Sequence, residues 1–427
     1  MACAGPVERG DAAWAAGDMT GAVEAWQQAE LDATRVQRLA RALVRLDRLD
    51  EAEVALETVP PDARGAEGQL VEGLLHLHRG APEAALAAFE AGLLLDELPE
   101  LWVNRCLLGA GARPEALGWC REATQRAPED PRAQLGLAAS ALSLGAPDVA
   151  LAALDRAAPL VEDDVELRAW SAQLRAGAGD PVGACDEGAR AGVVSIEVAA
   201  CCVEAGRPDD AEGALRGLGG AEAAALRLRL AVDRAEGAPP GGPRAPLIAA
   251  AERLAADPAL PATPAALTDQ GRLAMLQGAS AEAEALWRRA LAEDPTLSAP
   301  RLNLANALAA RGLLPEALAA LEGDAPEILA ERGRILEASG QLPEARAVTE
   351  AALTGCLEAG HDPCVAELSW RLAHLDARGG DRAALAAHLT RAVAAGGAPL
   401  ADRVRSDPTF QPWVHDPEIS GILIGAR

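Results

Sequence analysis

A chain of 427 residues with a formal net charge of −25, whose basic side chains are all arginine, is poorly suited to nucleic acid or to anionic membrane surfaces. Both of those partners reward clustered positive charge. Half of the residues are apolar, yet no apolar run reaches the roughly 18 residues of a membrane-spanning helix. Tyr is absent, Phe occurs twice, and Ala, Leu, Glu and Arg dominate, a composition of helix formers.

In chain order the predicted elements are pairs of short amphipathic helices, in which small and bulky residues recur at fixed places. The first pair, about 3–32, has Gly10, Gly17, Ala22, Trp26 and Ala29, in the order small, turn, small, bulky, small. The second, about 33–62, has Ala40, Ala52 and Leu56 and ends at Pro60-Pro61. The third, about 66–97, has Gly73, Gly80, Ala85, Phe89 and Gly92. The fourth, about 98–129, has Gly111, Ala116, Cys120, Ala123 and Pro128, with a short first helix. The fifth, about 131–162, has Ala138, Gly145, Ala150, Leu154 and Ala157. The sixth, about 163–191, has Ala172, Gly179 and Ala184, but Gly188 stands where a bulky residue is expected, which predicts a packing defect or an irregular helix. The seventh, about 193–219, has Ala199, Gly206, Ala211 and Leu215.

The pattern is then disturbed. A helix is expected over 221–236, and Gly237 to Ala245 is Pro and Gly almost throughout, which excludes regular structure. A helix at about 246–256 and a second Pro-rich segment to Pro264 follow. The boundary between an N-terminal array, 1–236, and a C-terminal array, 264–396, is expected here, with 237–263 as an irregular connection and 397–427 as a terminal cap.

Residues 264–297 are the clearest specimen. Leu267, Gln270, Gly271 and Ala274 form one stripe, and Ala283, Leu286, Trp287, Ala290 and Leu291 the next. Gly278 suits a left-handed helix end, Ser280 is the expected N-cap, and Asp294-Pro295 stops the second helix. The set Gly271, Ala283, Trp287, Ala290 and Pro295, in a period of about 34 residues, resembles the tetratricopeptide repeat (TPR), as found in bacterial proteins. Residues 298–325 (Ala305, Gly312, Ala317, Leu321), 326–359 (Gly333, Gly340, Ala345, Ala352) and a pair at about 363–396 continue it. The closing segment, with Phe410, Trp413, Ile419, Ile422 and Leu423, is similar to the end of many bacterial TPR proteins and can cover the last open hydrophobic face. The resemblance implies an all-α, right-handed superhelical solenoid of roughly a dozen antiparallel helix pairs.

It also implies a non-catalytic scaffold or adaptor that holds a peptide or helix of a protein partner in a groove lined by the first helices. From the register that groove includes Leu70, Leu74, Thr268, Arg272, Met275, Leu302, Asn306 and Arg334. Asn303 and Asn306 stand where TPR carboxylate clamps use asparagine, but Glu331 occupies the place where a clamp wants a basic residue. No metalloprotease, nucleophile-elbow, phosphate-loop or Cys-His-Asn pattern is present, so neither an enzyme nor a cofactor is expected. His76 and His78, two apart on a helix, point away from each other. Asp163-Asp164 and Asp209-Asp210 fall at helix starts, where capping and the helix dipole account for them.

Of the eight Cys, Cys106, Cys120, Cys185, Cys201 and Cys202 fall at small apolar helix positions and read as buried free thiols. Cys356 and Cys364 flank LEAGHDP, the spacing of cysteine-rich relatives of the TPR in which a disulfide ties neighbouring helices; plain thiols, or a metal with His361, are the alternatives. The start, Met1-Ala2-Cys3-Ala4-Gly5-Pro6, resembles the mature end of a bacterial lipoprotein, with Cys3 as the lipidated residue. Membrane association is expected only in that case. The chain as written reads as cytoplasmic. With a start further upstream it would be a periplasmic or envelope lipoprotein that helps assemble or tether an outer-membrane or secretion complex.

Overall fold

The computed structural model describes residues 5–239 and 241–425, so Cys3 lies outside the described residues. Two compact units divide between Leu218 and Gly219. The first holds seven hairpins: α1 (Pro6–Ala15) with α2 (Met19–Trp26), α3 (Ala33–Arg45) with α4 (Leu49–Glu57), α5 (Ala66–His78) with α6 (Pro82–Leu93), α7 (Pro99–Gly109) with α8 (Ala116–Arg126), α9 (Pro131–Ser143) with α10 (Pro147–Ala157), α11 (Val165–Gly177) with α12 (Pro181–Ala191), and α13 (Ile196–Glu204) with α14 (Pro208–Ala214). The second holds α15 (Ala221–Glu236) with α16 (Arg244–Ala255), α17 (Pro264–Leu276) with α18 (Ser280–Glu293), α19 (Ser298–Ala310) with α20 (Leu314–Ala320), α21 (Pro326–Ala338) with α22 (Leu342–Glu358), and α23 (Asp362–Gly379) with α24 (Arg382–Ser406), followed by α25 (Pro417–Ile424). No strand occurs among the described residues, and each unit is a TPR-like solenoid of stacked helix pairs.

The division precedes the Pro/Gly-rich stretch at which sequence places it. The reason is local: α15 packs against α16, so that stretch is the turn of a hairpin within the second unit.

The hairpins close as their small residues require. Gly278 takes φ 80° between α17 and α18, a conformation that costs an L side chain energy. Asp47 holds the corresponding turn of the second hairpin at φ 58°. A methyl group on Gly271 would penetrate the Trp287 ring, and the same holds for Gly73 against Phe89 and Gly10 against Trp26. In each case a first-helix glycine receives an aromatic ring from the second helix. Trp287 is buried and its indole N–H donates to the Thr268 carbonyl at 3.1 Å.

Ser280 does not cap α18. It is the first helical residue, and Ala279 holds the cap position without a side-chain bond. Asp164 does cap α11, accepting from the Leu167 amide at 3.0 Å. Gly188 leaves no defect either, since Val198 of α13 fills the place a side chain would occupy.

A single helix pair cannot bury its apolar stripe, so the core runs from pair to pair. In the first unit one cluster gathers α7 to α10 around Leu135 and Leu154, and another joins α2 to α5 around Trp26, Leu43 and Val71. In the second unit Trp287, Leu304, Leu321 and Ile335 form one continuous cluster. At its end Phe410, Ile419 and Leu423 are buried on Leu385 and Leu389 of α24, each side chain worth ~1.5–3 kcal/mol. The chain reaches them after a kink at Gly397 within α24.

Candidate binding surface

The first-helix face of the first unit is held by its own ion pairs. Arg35 of α3 bonds Asp11 of α1 at 2.8 Å, and Arg38 bonds Glu67 of α5 at 3.4 Å. Arg45 meets Glu100 of α7 at 3.3 Å, and Arg41 bonds the same carboxylate while lying 5.4 Å from the Trp14 ring centre. Leu70, assigned to the groove by register, is instead core at 2% exposure, enclosed by Ala85, Phe89 and Leu101. Leu74 packs on the edge of the same cluster. The register failed here because Leu101, from the following hairpin, comes over the stripe that ideal spacing leaves open.

In the second unit, α15, α17 and α19 frame a cleft of about 280 Å³. Arg229 of α15, Thr268, Asp269 and Arg272 of α17, and Pro300 and Asn303 of α19 line it. Thr268 is buried, and its hydroxyl donates to the Pro264 carbonyl at 2.7 Å. Arg272 is not a free groove cation. It reaches Asp233 at 2.6 Å, Asp269 at 2.9 Å and Glu236 through a further bond. Burial works against its charge, but the hydrogen bonds to Glu236 and Asp233 outweigh burial and raise its pKa. Burial also lifts the Asp269 carboxyl above its ordinary value, against the pull of Arg272. Arg272 therefore ties α17 to α15. Arg229 is the exposed cation at the cleft wall.

Met275 and Leu302 are partly buried against the Trp287–Leu304 cluster. Asn306 and Arg334 are brought together: the guanidinium donates to the Asn306 side-chain Oδ1 at 2.9 Å and to Glu331 at 2.8 Å. The hydrogen bond to Glu331 raises the Arg334 pKa.

Sequence reasoning missed Arg229 and Asp269 and set Asn303 aside. The signal existed in α15, where Arg229, Asp233 and Glu236 stand at i, i+4 and i+7 on one face. The phase of that helix against α17 was hidden by the Pro/Gly-rich turn between them.

Four of the cysteines differ from their sequence reading. Cys106–Cys120 and Cys185–Cys202 are disulfides, not buried free thiols. The first joins α7 to α8 within a hairpin and the second joins α12 to α13 of neighbouring hairpins. Small positions on facing helices are also the closest positions, so two cysteines placed there meet. Cys356 and Cys364 are joined as well. His361 caps α23, its Nδ1 accepting from the Cys364 amide at 3.2 Å. Cys201 is the free cysteine among the described residues.

The architecture is thus an all-α TPR-like array with a cleft of mixed polar and apolar lining on the first helices of its second unit. No family model and no curated protein matches the chain. Among solved structures, it is similar to the Cut9–Hcn1 hetero-tetramer of the APC/C, at 12% identity over 99% of this chain and 89% of that one, with a TM-score of 0.32. A human IFIT1 dimer with PPP-AAAA gives 18% identity, 81% and 88% coverage and a TM-score of 0.31. A tetratricopeptide repeat protein from Parabacteroides merdae gives 14% identity, 71% and 97% coverage and 0.30. At such scores these neighbours carry no argument about a ligand or partner.

Proposed function

We propose that the protein is a non-catalytic scaffold or adaptor, and that it holds a segment of a protein partner on the first helices of its second unit. The observation that carries this reading is the α15/α17/α19 cleft. Its wall combines an exposed guanidinium (Arg229), a side-chain amide (Asn303) and the apolar ring of Pro300, a mixture suited to backbone and side chains of an extended peptide. Arg272 and Asp269 hold that wall in place, because their charges are already matched.

The test is affinity capture from the cells of origin, followed by mass spectrometry, with full-length wild-type and Arg229→Glu chains in parallel. The variant is expected to retain the helical spectrum and to lose the main captured protein by about tenfold or more, as reversal of a contacting charge should. Equal capture by both chains overturns the assignment of the cleft.

A second reading, an envelope TPR lipoprotein that helps assemble or tether an outer-membrane or secretion complex, is favoured by the three disulfides. It requires lipid on Cys3. Intact-mass measurement of the protein from its own membranes, lacking any acyl addition, would remove it.

A further inference from the structure

We infer that the six joined cysteines are oxidised as the protein matures, in a compartment that supports disulfide formation, and that their bridges staple adjacent helices. This goes beyond the partner-binding reading and is independent of it, since the cleft contains no cysteine.

Placement carries the inference. The Cα atoms of the three pairs stand 4.6, 4.9 and 5.9 Å apart, all within the roughly 4.4–6.8 Å that a bridge can span. Each pair joins adjacent helices, and each lies within one unit. The neighbours have been shaped to the bridges. A methyl group on Gly136 of α9 would run into Cys106 Sγ and stand 3.5 Å from Cys120 Sγ, so the glycine leaves the space the sulfurs occupy. Ser140, one turn further along α9, places its hydroxyl 3.5 Å from Cys120 Sγ. At the second bridge Gly188 lets the two helices approach. It lies three residues beyond Cys185, against Val198 of α13, and a larger residue there would push α12 off α13 and part Cys185 from Cys202. The glycine that breaks the repeat pattern is thus accounted for by the close approach of Val198, on the same helix pair that the bridge joins. At the third, His361 fixes the start of α23 from within the closed loop.

The chemistry balances through thiol–disulfide exchange with a protein disulfide oxidant. For each pair, one cysteine thiolate attacks a sulfur of the oxidant's disulfide, forming a mixed disulfide and releasing one oxidant thiol. The second cysteine thiolate then attacks its partner's sulfur and displaces the other oxidant sulfur. Two electrons and two protons leave with the oxidant as a dithiol, and three turnovers complete the chain. A reducing cytosol reverses these steps, whereas an extracytoplasmic space sustains them. Cys201 is a poor entrant into such exchange, because burial and then the Glu204 charge push its thiol pKa up.

The protein is recovered from its own fractionated cells into acid with N-ethylmaleimide, denatured without reductant and digested. The expected result is three linked peptides, Cys106–Cys120, Cys185–Cys202 and Cys356–Cys364, with Cys201 alkylated and the linked form in the extracytoplasmic fraction. Alkylation of Cys106, Cys120, Cys185 and Cys202 in that material overturns the oxidation, and a linked form confined to the cytosol overturns the compartment. On the purified, oxidised full chain, reductant is expected to lower the thermal midpoint by about 5 °C or more. A midpoint unchanged to within about a degree overturns the role as staples.

Discussion

Two hairpins solve one packing problem by different means. In α17/α18 a glycine, Gly271, faces an aromatic ring, Trp287, and the indole fills the gap between the helices. In α7/α8 the small and bulky stripes carry Cys106 and Cys120, and a covalent bond joins the helices beside the Trp119 ring, which faces Gly109 near the turn. The ring stabilises by burying apolar area and by the bond from its N–H to Thr268. The bridge acts mainly by restricting the unfolded chain, and it fills less volume. The lesson is that the repeat requires closure at this point rather than a particular residue type. A chain with eight Trp, two Phe and no Tyr distributes few rings among twelve hairpins and closes others differently.

The largest test of that comparison removes the ring. Trp287→Ala leaves a cavity between α17 and α18 and removes the indole's bond to the Thr268 carbonyl, and the expected cost is ~3–5 kcal/mol. Amide hydrogen exchange should show it as faster opening of α17 to α20, whose side chains share the Trp287 cluster. Reductant should leave those same amides unchanged while it accelerates exchange in α7 to α10. If reductant loosened both hairpins equally, the separation drawn between a ring-closed and a bridge-closed pair would be wrong.

Much of this was legible in the sequence. Gly271 with Trp287, Gly73 with Phe89, and the glycine turns could be read because each repeat presents the same spacing and the spacing has one geometric solution. The closing Phe410 and Ile419 were legible because an end face must be covered. What could not be read depended on contacts from another hairpin. Leu70 looked like a groove residue until Leu101 covered it, and Cys120 looked like a small core residue until α7 set Cys106 opposite. Arg272 looked like a docking cation because Asp233 and Glu236, 39 and 36 residues earlier, lie beyond a turn whose length no periodicity fixes. The candidate site thus shifted to the first helix of the preceding pair, from Arg272 of α17 to Arg229 of α15, while the fold class stood.

A smaller effect probes the electrostatic closure of the same ring-closed region. Arg272→Ala leaves Asp233, Glu236 and the buried Asp269 without their shared cation. The expected loss is about 2 kcal/mol, reduced from the value for fully buried pairs because the site is partly open to water. The sign with pH follows from Asp269. Its folded pKa lies above the ordinary 3.8, so the folded state holds the proton more tightly, and this favours folding below 3.8 and fades as pH rises. Loss of Arg272 raises that folded pKa further. The penalty should therefore be smaller near about pH 4 than at neutral pH in urea titrations, and an equal penalty at both would show that the carboxylates are not coupled to the arginine.

The smallest effect belongs to the C-terminal closure, where neither a bridge nor a glycine-facing ring is used. Asp416 caps α25 through the Glu418 amide at 3.0 Å and receives a bidentate grip from Arg382 at 2.8 and 2.9 Å. The hydrogen bond from Arg382 leads in holding its pKa at about 2. A carboxyl depressed in the fold gives stability that is complete above its ordinary 3.8 and is lost as pH falls toward about 2. Trp413 packs at this end of the core, so its fluorescence, taken as the difference from a Trp413→Phe chain, reports the docking of the segment. Acid should shift that signal across this window in wild type, with a response that weakens in salt because both partners are solvent-facing. Asp416→Asn keeps a capping oxygen but loses the charge, so its signal should be flatter over the same window. A variant that tracks wild type throughout would mean that Phe410, Ile419 and Leu423 hold the closing segment by burial alone.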